Sequence, residues 1–145
     1  MSTRAVELRL LDQDLAAVQR AEVLLAQGRA LREEDPRLAF EMVHRAALRA
    51  AGVLVAQADR VRRRRLPLNV WTALERLGPQ GREWSLAARE FVAERARLER
   101  DLHAVPDDLI LQRHLAWTAA RILEVREEMV RQLESAAAPV AALAG

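Results

Sequence analysis

PRLAFEMVHRAALRAAGVLVAQADRVRRRR, residues 36–65, is the stretch of sequence that decides the fold. Asp35 before it and Pro36 at its start predict a helix N-terminus, because aspartate caps a first turn and proline needs no amide hydrogen there. We expect the helix to run to about Arg64. Its apolar residues recur at the three- and four-residue steps of one helical face, namely Phe40, Val43, Ala47, Leu54 and Ala58.

The middle of this helix carries almost no charge. Between Ala46 and Ala56 the residues are small or apolar nearly all round, which is typical of a helix surrounded by other helices. Gly52 lies in this stretch, and a glycine lets a neighbouring backbone approach closely. We therefore expect this helix to be the most buried one, with a close helix contact at Gly52.

One long helix is predicted before residue 36. Apolar residues recur at helical steps from Leu8 to Leu25, and the pattern ends near Glu34. Asp12 or Asp14 can cap a break inside this helix, because a short acceptor side chain competes for backbone amides.

Three helices are predicted after residue 65. Leu66-Pro67 ends the preceding element, Asn69 caps a short helix, and Gly78-Pro79 ends that helix. A long helix is expected over about residues 80–104. The last helix opens at Pro106-Asp107-Asp108 and carries the most regular apolar stripe of the chain: Leu111, Leu115, Thr118, Ile122, Val125, Met129 and Leu133.

These elements predict an all-α protein. Four long helices of similar length with short joints favour an antiparallel four-helix bundle, to which the short helix is added. A chain of 145 residues is large enough for one core, so we expect a single domain over residues 1–134. Residues 135–145 are small and apolar and contain Pro139, and we expect them to form a flexible C-terminal tail.

Composition excludes several classes of function. The chain has no cysteine, which removes disulfides, thiolate nucleophiles and cysteine metal sites and favours a cytoplasmic location. Charged residues occur throughout Met1 to Leu15, so no signal peptide is expected there, and no apolar stretch is long enough to cross a membrane. All 23 basic residues are arginines, but 21 acids leave a net charge of +2. Only a local cluster could therefore bind a polyanion.

Such a cluster stands at the end of the second helix. Five arginines occur in six residues: Arg60, Arg62, Arg63, Arg64 and Arg65. They can neutralise phosphates of RNA or DNA without reading sequence. The alternative is that they stabilise the negative end of the helix dipole as a solvated joint. Trp71 and Trp84 fall on core spacing and do not form a stacking platform beside the arginines.

Histidine supplies the remaining candidate chemistry. His44 falls on the inward face of the second helix, where a histidine is either a hydrogen-bonded core residue or an acid–base group. Arg49 falls on the outward face with Glu41. Glu41 and His44 form one Glu-x-x-His pair, but the second pair that a di-iron bundle needs is missing. We therefore expect no metal and no cofactor.

The order of these features resembles a known family. The run HRAALRAA at residues 44–51, the arginine-rich joint, Val70-Trp71 and Glu83-Trp84 are similar to an actinobacterial family of small HEPN-domain proteins, over about residues 20–134. The resemblance implies a four-helix bundle with an added short helix, and pairing as a homodimer. It also implies one of two activities, a metal-independent RNase or a nucleotide-binding partner in toxin–antitoxin and defence systems.

The RNase members carry an arginine, four to six residues and a histidine near the start of the last long helix. That spacing occurs at Arg37/His44 and Arg97/His103, neither of which is at that position. About one to one and a half such matches are expected by chance. His114 does begin the last helix, but the allowed arginine positions before it hold Asp107, Asp108 and Leu109.

We therefore favour a non-catalytic HEPN-like module, dimeric, that binds a protein or nucleic-acid partner. The alternative is a metal-independent endoribonuclease with a composite site at a dimer interface. The candidate catalytic residues for that alternative are His44, Arg49, Arg97 and His103.

Overall fold

The computed structural model describes residues 2–144, with side chains described for residues 2–137. Every regular element in this part of the chain is a helix, which confirms the predicted all-α class. The elements are α1 (Thr3–Leu31), α2 (Pro36–Val61), α3 (Val70–Glu75), α4 (Pro79–Arg100) and α5 (Asp108–Ala144). Among the described residues, none of these helices combines the length and apolarity that a membrane crossing requires.

The helices begin where the sequence predicts. The Asp35 carboxylate accepts from the Leu38 amide at 3.0 Å, and the Asn69 side chain accepts from the Thr72 amide at 3.1 Å. Each bond satisfies an amide that the first turn leaves without a helical partner. Gly78 precedes α4 with φ of 90°, a conformation that favours glycine.

The helix ends differ from the predictions. α1 ends at Leu31 without a break at Asp12 or Asp14, so the predicted internal cap is wrong. α2 ends at Val61, before the predicted end at about Arg64. The chain turns after Val61, and the Asp59 carboxylate accepts a hydrogen bond from the Leu66 amide at 2.8 Å. α5 runs from Asp108 to Ala144, and the flexible tail expected over residues 135–145 stays a prediction. Gly145 and the side chains of 138–145 lie outside the described residues.

α4 ends at Arg100, four residues before the predicted end, because a side chain from another helix closes it. The Arg37 guanidinium of α2 donates to the carbonyl oxygens of Leu98, Asp101 and Ala104. These carbonyls lie at the end of the helix or just beyond it, where no further turn of helix supplies their partners. Arg37 therefore acts as a C-terminal cap for α4.

In most neighbouring pairs of long helices, residues nearer the start of one helix contact residues nearer the end of the other. On α1 and α5, Arg4 lies beside Ala136 at one end and Arg32 beside Asp108 at the other. The same arrangement holds for three other pairs of helices. Asp14 of α1 contacts Arg60 of α2, Glu41 of α2 contacts Arg95 of α4, and Glu90 of α4 contacts Arg113 of α5. α2 and α5 run in the same direction.

α2 is the central element of the core, as its sequence predicts. It contacts each of the other four helices. Its buried residues outnumber those of α1, α3 and α4, and they are Ala39, Phe40, Val43, His44, Ala46, Ala47, Ala50, Ala51 and Val53. The many alanines among them allow close packing on several sides at once.

α2 is approached closely at Gly28 of α1 and not at its own Gly52. A Cβ atom added at Gly28 would lie 2.6 Å from Val43 Cγ2 and 3.2 Å from the Ala39 carbonyl oxygen. A Cβ atom at Gly52 would meet nothing within 4 Å. The prediction of a close approach at Gly52 is therefore wrong.

The two glycines should respond in opposite ways to alanine. Gly28→Ala should lower the free energy of unfolding by about 1–3 kcal/mol, because α1 must move away from α2. Gly52→Ala should raise it by about 0.5–1 kcal/mol, because alanine favours the helix and fits the open space. Urea unfolding followed by circular dichroism measures both. Equal effects at the two positions would contradict this packing.

Candidate functional site

Two histidines meet in the centre of the bundle. His44 Nδ1 of α2 lies 3.1 Å from His114 Nε2 of α5, and the two residues are 2% and 0% exposed. The inward orientation predicted for His44 is confirmed. His114 has the same environment, with the Phe91 ring stacked on it at 4.1 Å between centroids.

A third buried group extends this pair into a chain of hydrogen bonds. Thr118 Oγ1 lies 2.9 Å from His114 Nδ1, and Thr118 is fully buried. A hydroxyl both donates and accepts, and a neutral imidazole carries one donor and one acceptor nitrogen. Thr118, His114 and His44 therefore form a continuous chain in which each bond has one hydrogen.

Both histidines are neutral at physiological pH. Burial lowers the pKa of His44 to about 4, with a further decrease from the charge of Arg95 and a smaller increase from Glu41. Burial also lowers the pKa of His114 to about 3, and His44 contributes to the decrease. Neither ring is an acid of the strength that catalysis near neutral pH needs.

The outer side of His44 borders a surface cavity of about 270 Å³ between α2, α3 and α4. Its lining combines apolar side chains with a few polar ones: His44, Leu48, Asn69, Val70, Trp71, Val92, Arg95, Ala96 and Glu99. Trp71 is partly buried and Trp84 is 2% exposed. The prediction that both tryptophans lie in the core is therefore confirmed for Trp84, whereas Trp71 is only partly buried.

Arg95 holds the wall of this cavity in place. Its guanidinium binds both carboxylate oxygens of Glu41, at 3.0 and 3.1 Å, and lies 3.7 Å from Glu99. Arg45 also donates to Glu41, and these bonds lower the pKa of the Glu41 carboxyl. The Glu41 carboxylate is thus held by two guanidinium groups.

The candidate arginine–histidine pairs are separate in the structure. Arg97 is bound to the Glu94 carboxylate at 2.6 and 3.0 Å and to the Val105 carbonyl at 2.8 Å. Within residues 2–137 no hydrogen bond joins it to His103. Arg49 is exposed, whereas the His44 ring is buried.

The arginine cluster divides into two parts. The Arg60 guanidinium forms two 2.7 Å bonds with the Asp14 carboxylate, which is buried and also accepts from Gln57 at 3.0 Å. The residues after it, Arg62–Arg65, are exposed. In the described part of the chain their guanidinium groups form no ion pair, whereas nine other arginines do, Arg95 forming two of the ten pairs.

Sequence reasoning missed three of the groups that build this region. The core stripe predicted for α5 includes Thr118 but leaves out His114, although Leu111 three residues before it and Thr118 four residues after it mark the same face. Asp14 likewise lies one helical step before Val18. Arg95 gives no such signal, because its position depends on Glu41 of another helix.

The buried histidine pair makes the free energy of unfolding depend on pH, in a pH range above that in which carboxylates titrate. In the folded protein both pKa values lie below the ordinary 6.5, so the unfolded chain binds up to two more protons at mildly acidic pH. The contribution of the pair to stability is therefore present above about pH 6.5 and is lost as the pH falls. Between about pH 6.5 and 5 we expect a loss of about 3 kcal/mol.

Urea unfolding at a series of pH values measures this loss. The variant His44→Gln should show about half the slope, because one buried ring remains, and the variant of the exposed His103, His103→Gln, should keep the full slope. A flat stability profile over this range would contradict neutral burial of the pair.

Comparison with known proteins identifies the fold family. The model of a HEPN-domain family matches residues 30–109, which is more than half of the chain. The match covers α2, α3 and α4 completely and ends just after α5 begins. No curated protein and no solved structure gives a significant match. The chain belongs to a HEPN-domain family.

Proposed function

We propose that this protein is a non-catalytic HEPN module that binds a nucleic-acid backbone through Arg62, Arg63, Arg64 and Arg65. The observation that carries the proposal is the exposure of these four consecutive arginines without an ion-pair partner among the described residues. A free guanidinium is available to a phosphate, whereas one already bound to a carboxylate must first give up that partner. Arg60 is excluded from the proposed surface because its guanidinium holds Asp14.

The arrangement of the histidines supports a binding role over the RNase alternative. An RNase site of the HEPN type needs an arginine and a histidine that reach the same phosphate. His44 and His114 are buried and neutral, and Arg97 is bound by Glu94 and Val105. Cleavage of RNA by the purified protein, lost in the variant His103→Gln, would contradict the non-catalytic role.

Replacing the four arginines by glutamine should remove most of the affinity for nucleic acid. The contacts are to phosphates, so binding should be independent of sequence and should weaken with salt. The log–log slope should be about three to four in the natural protein and near zero in the Arg62→Gln, Arg63→Gln, Arg64→Gln, Arg65→Gln variant. Stability should change by less than about 1 kcal/mol, because these side chains are exposed.

A second variant with the same loss of charge serves as the control. Arg20, Arg29, Arg82 and Arg100 are exposed and lie on α1 and α4, and their replacement by glutamine should leave most of the affinity. Fluorescence anisotropy with a labelled RNA at several salt concentrations measures both variants. Equal losses in the two variants would show a general charge effect and would contradict a binding site at residues 62–65.

We also propose that the module forms a homodimer through α5. The exposed apolar residues Leu109, Leu123 and Val130 are 57%, 55% and 41% exposed. They are separated by multiples of seven residues, which places them on one helix face. An exposed apolar face of this kind is typical of a protein contact surface.

Light scattering tests the dimer. The natural protein should have a mass about twice 16.3 kDa, and the double variant Leu123→Glu, Val130→Glu should have the mass of one chain, because a charge on each copy would be buried at the contact. Leu86→Glu, an equally exposed leucine on α4, is the control and should remain dimeric. A monomeric natural protein at micromolar concentration would contradict the proposal.

A further inference from the structure

One nitrogen in the hydrogen-bond chain of Thr118, His114 and His44 has no partner among the described residues. His44 is 2% exposed and its Nδ1 is bonded to His114, but its Nε2 makes no hydrogen bond with the described residues. That nitrogen is not among the fully buried unpaired atoms, so it reaches the surface through the cavity that His44 lines. A buried ring nitrogen that faces a cavity is a group positioned to bind something there.

The cavity suits a small and uncharged ligand. Trp71, Val70, Leu48 and Val92 provide apolar walls, and a volume of about 270 Å³ is slightly below that of pockets for drug-sized molecules. The charges at its rim balance, because Arg95 is already bound to Glu41 and lies beside Glu99. A free anion would meet the carboxylate of Glu99 as well as the guanidinium.

The hydrogen-bond chain behind His44 can run in either direction. If the Thr118 hydroxyl donates to His114 Nδ1, then His114 Nε2 donates to His44 Nδ1, and His44 Nε2 carries a hydrogen. If His44 Nδ1 donates instead, each bond reverses and His44 Nε2 is an acceptor. Both directions supply one hydrogen to each of the two bonds between the three residues. The cavity therefore offers a donor or an acceptor at the same point without any change of charge.

We propose that this cavity binds a single nucleobase, with His44 Nε2 on the polar edge of the base and Trp71 beside its ring. A base is a neutral, flat heterocycle that carries donors and acceptors on its edge, and a reversible partner accommodates either kind. Base binding of this kind tolerates different sequences, since every base has an aromatic face. The inference extends the proposed function, because a base of a strand held at Arg62–Arg65 would enter this cavity.

The chain path places the two surfaces near each other. Asn69 and Val70, which line the cavity, follow Arg65 after only a few residues. Four residues of extended chain span at most about 14 Å. A single strand with its phosphates on the arginines can therefore reach the cavity with a base one or two nucleotides away. A paired base in a duplex cannot enter, because its polar edge is already occupied.

Nucleosides test the cavity without involving the arginines. We expect each of adenosine, guanosine, cytidine and uridine, at millimolar concentration, to shift the NMR signals of the His44 imidazole and the Trp71 indole. Ala96→Leu, which fills the cavity from α4, should abolish the shifts, and so should Val92→Phe, at a partly exposed position that leaves the core intact. Ala26→Leu on the exposed face of α1 is the matched control and should keep them.

Oligonucleotides then separate a base in a strand from a free nucleotide. Ala96→Leu should weaken binding of a short single-stranded RNA about tenfold and leave binding of a duplex of the same sequence unchanged. Replacement of Arg62–Arg65 by glutamine should weaken binding of both the single strand and the duplex. If nucleosides bind but Ala96→Leu leaves the single strand unaffected, the cavity serves a free nucleotide instead.

The two proposals fail in different ways. Absence of nucleoside shifts at His44 and Trp71 overturns the base cavity, whatever the arginines do. Loss of nucleoside shifts in Ala26→Leu as well as Ala96→Leu overturns it too, since the effect would not come from the cavity. Unchanged duplex binding after loss of the four arginines overturns the proposed function and leaves the nucleoside result standing.

Discussion

The hydrogen bond between His44 and His114 is the constraint on which the rest of the structure depends. It joins the two helices that run in the same direction, α2 and α5, at a point where both side chains are buried. Neither ring can take up a proton without losing a favourable environment, because Phe40 and Phe91 surround the pair and Arg95 lies near it. The aromatic cluster of the core and the surface cavity therefore meet at that pair.

The separation of structural and free arginines is the second organising feature. Arginine is the only basic residue type, and many copies serve the fold. Arg60 holds the buried Asp14, Arg95 holds Glu41, and Arg97 holds Glu94. Because a guanidinium forms two parallel bonds with a carboxylate, it is well suited to these partly buried positions. The arginines of one sequence cluster therefore have different roles. Arg60 lies within α2 and is bound to Asp14, whereas Arg62 follows the end of that helix and has no ion-pair partner among the described residues.

Sequence reasoning found the features that depend on neighbours along the chain. The caps at Asp35 and Asn69 and the burial of α2 follow from local chemistry and helical periodicity, and the structure confirms them. Two of the features it missed depend on other helices. The close contact at Gly28 requires Val43, and the early end of α4 requires Arg37. Composition gives no information about which residue of one helix faces which residue of another.

The Arg37 cap makes the end of α4 depend on a residue more than sixty positions away in sequence. A segment that contains α4 alone lacks the donor for its last carbonyls, so its final turn is expected to fray when α2 is absent or undocked. Docking of the start of α2 and completion of α4 are then one cooperative event. Local opening at this end would release both helices together, and amide hydrogen exchange there would report a shared unit. The bundle thus gains cooperativity from a single long side chain.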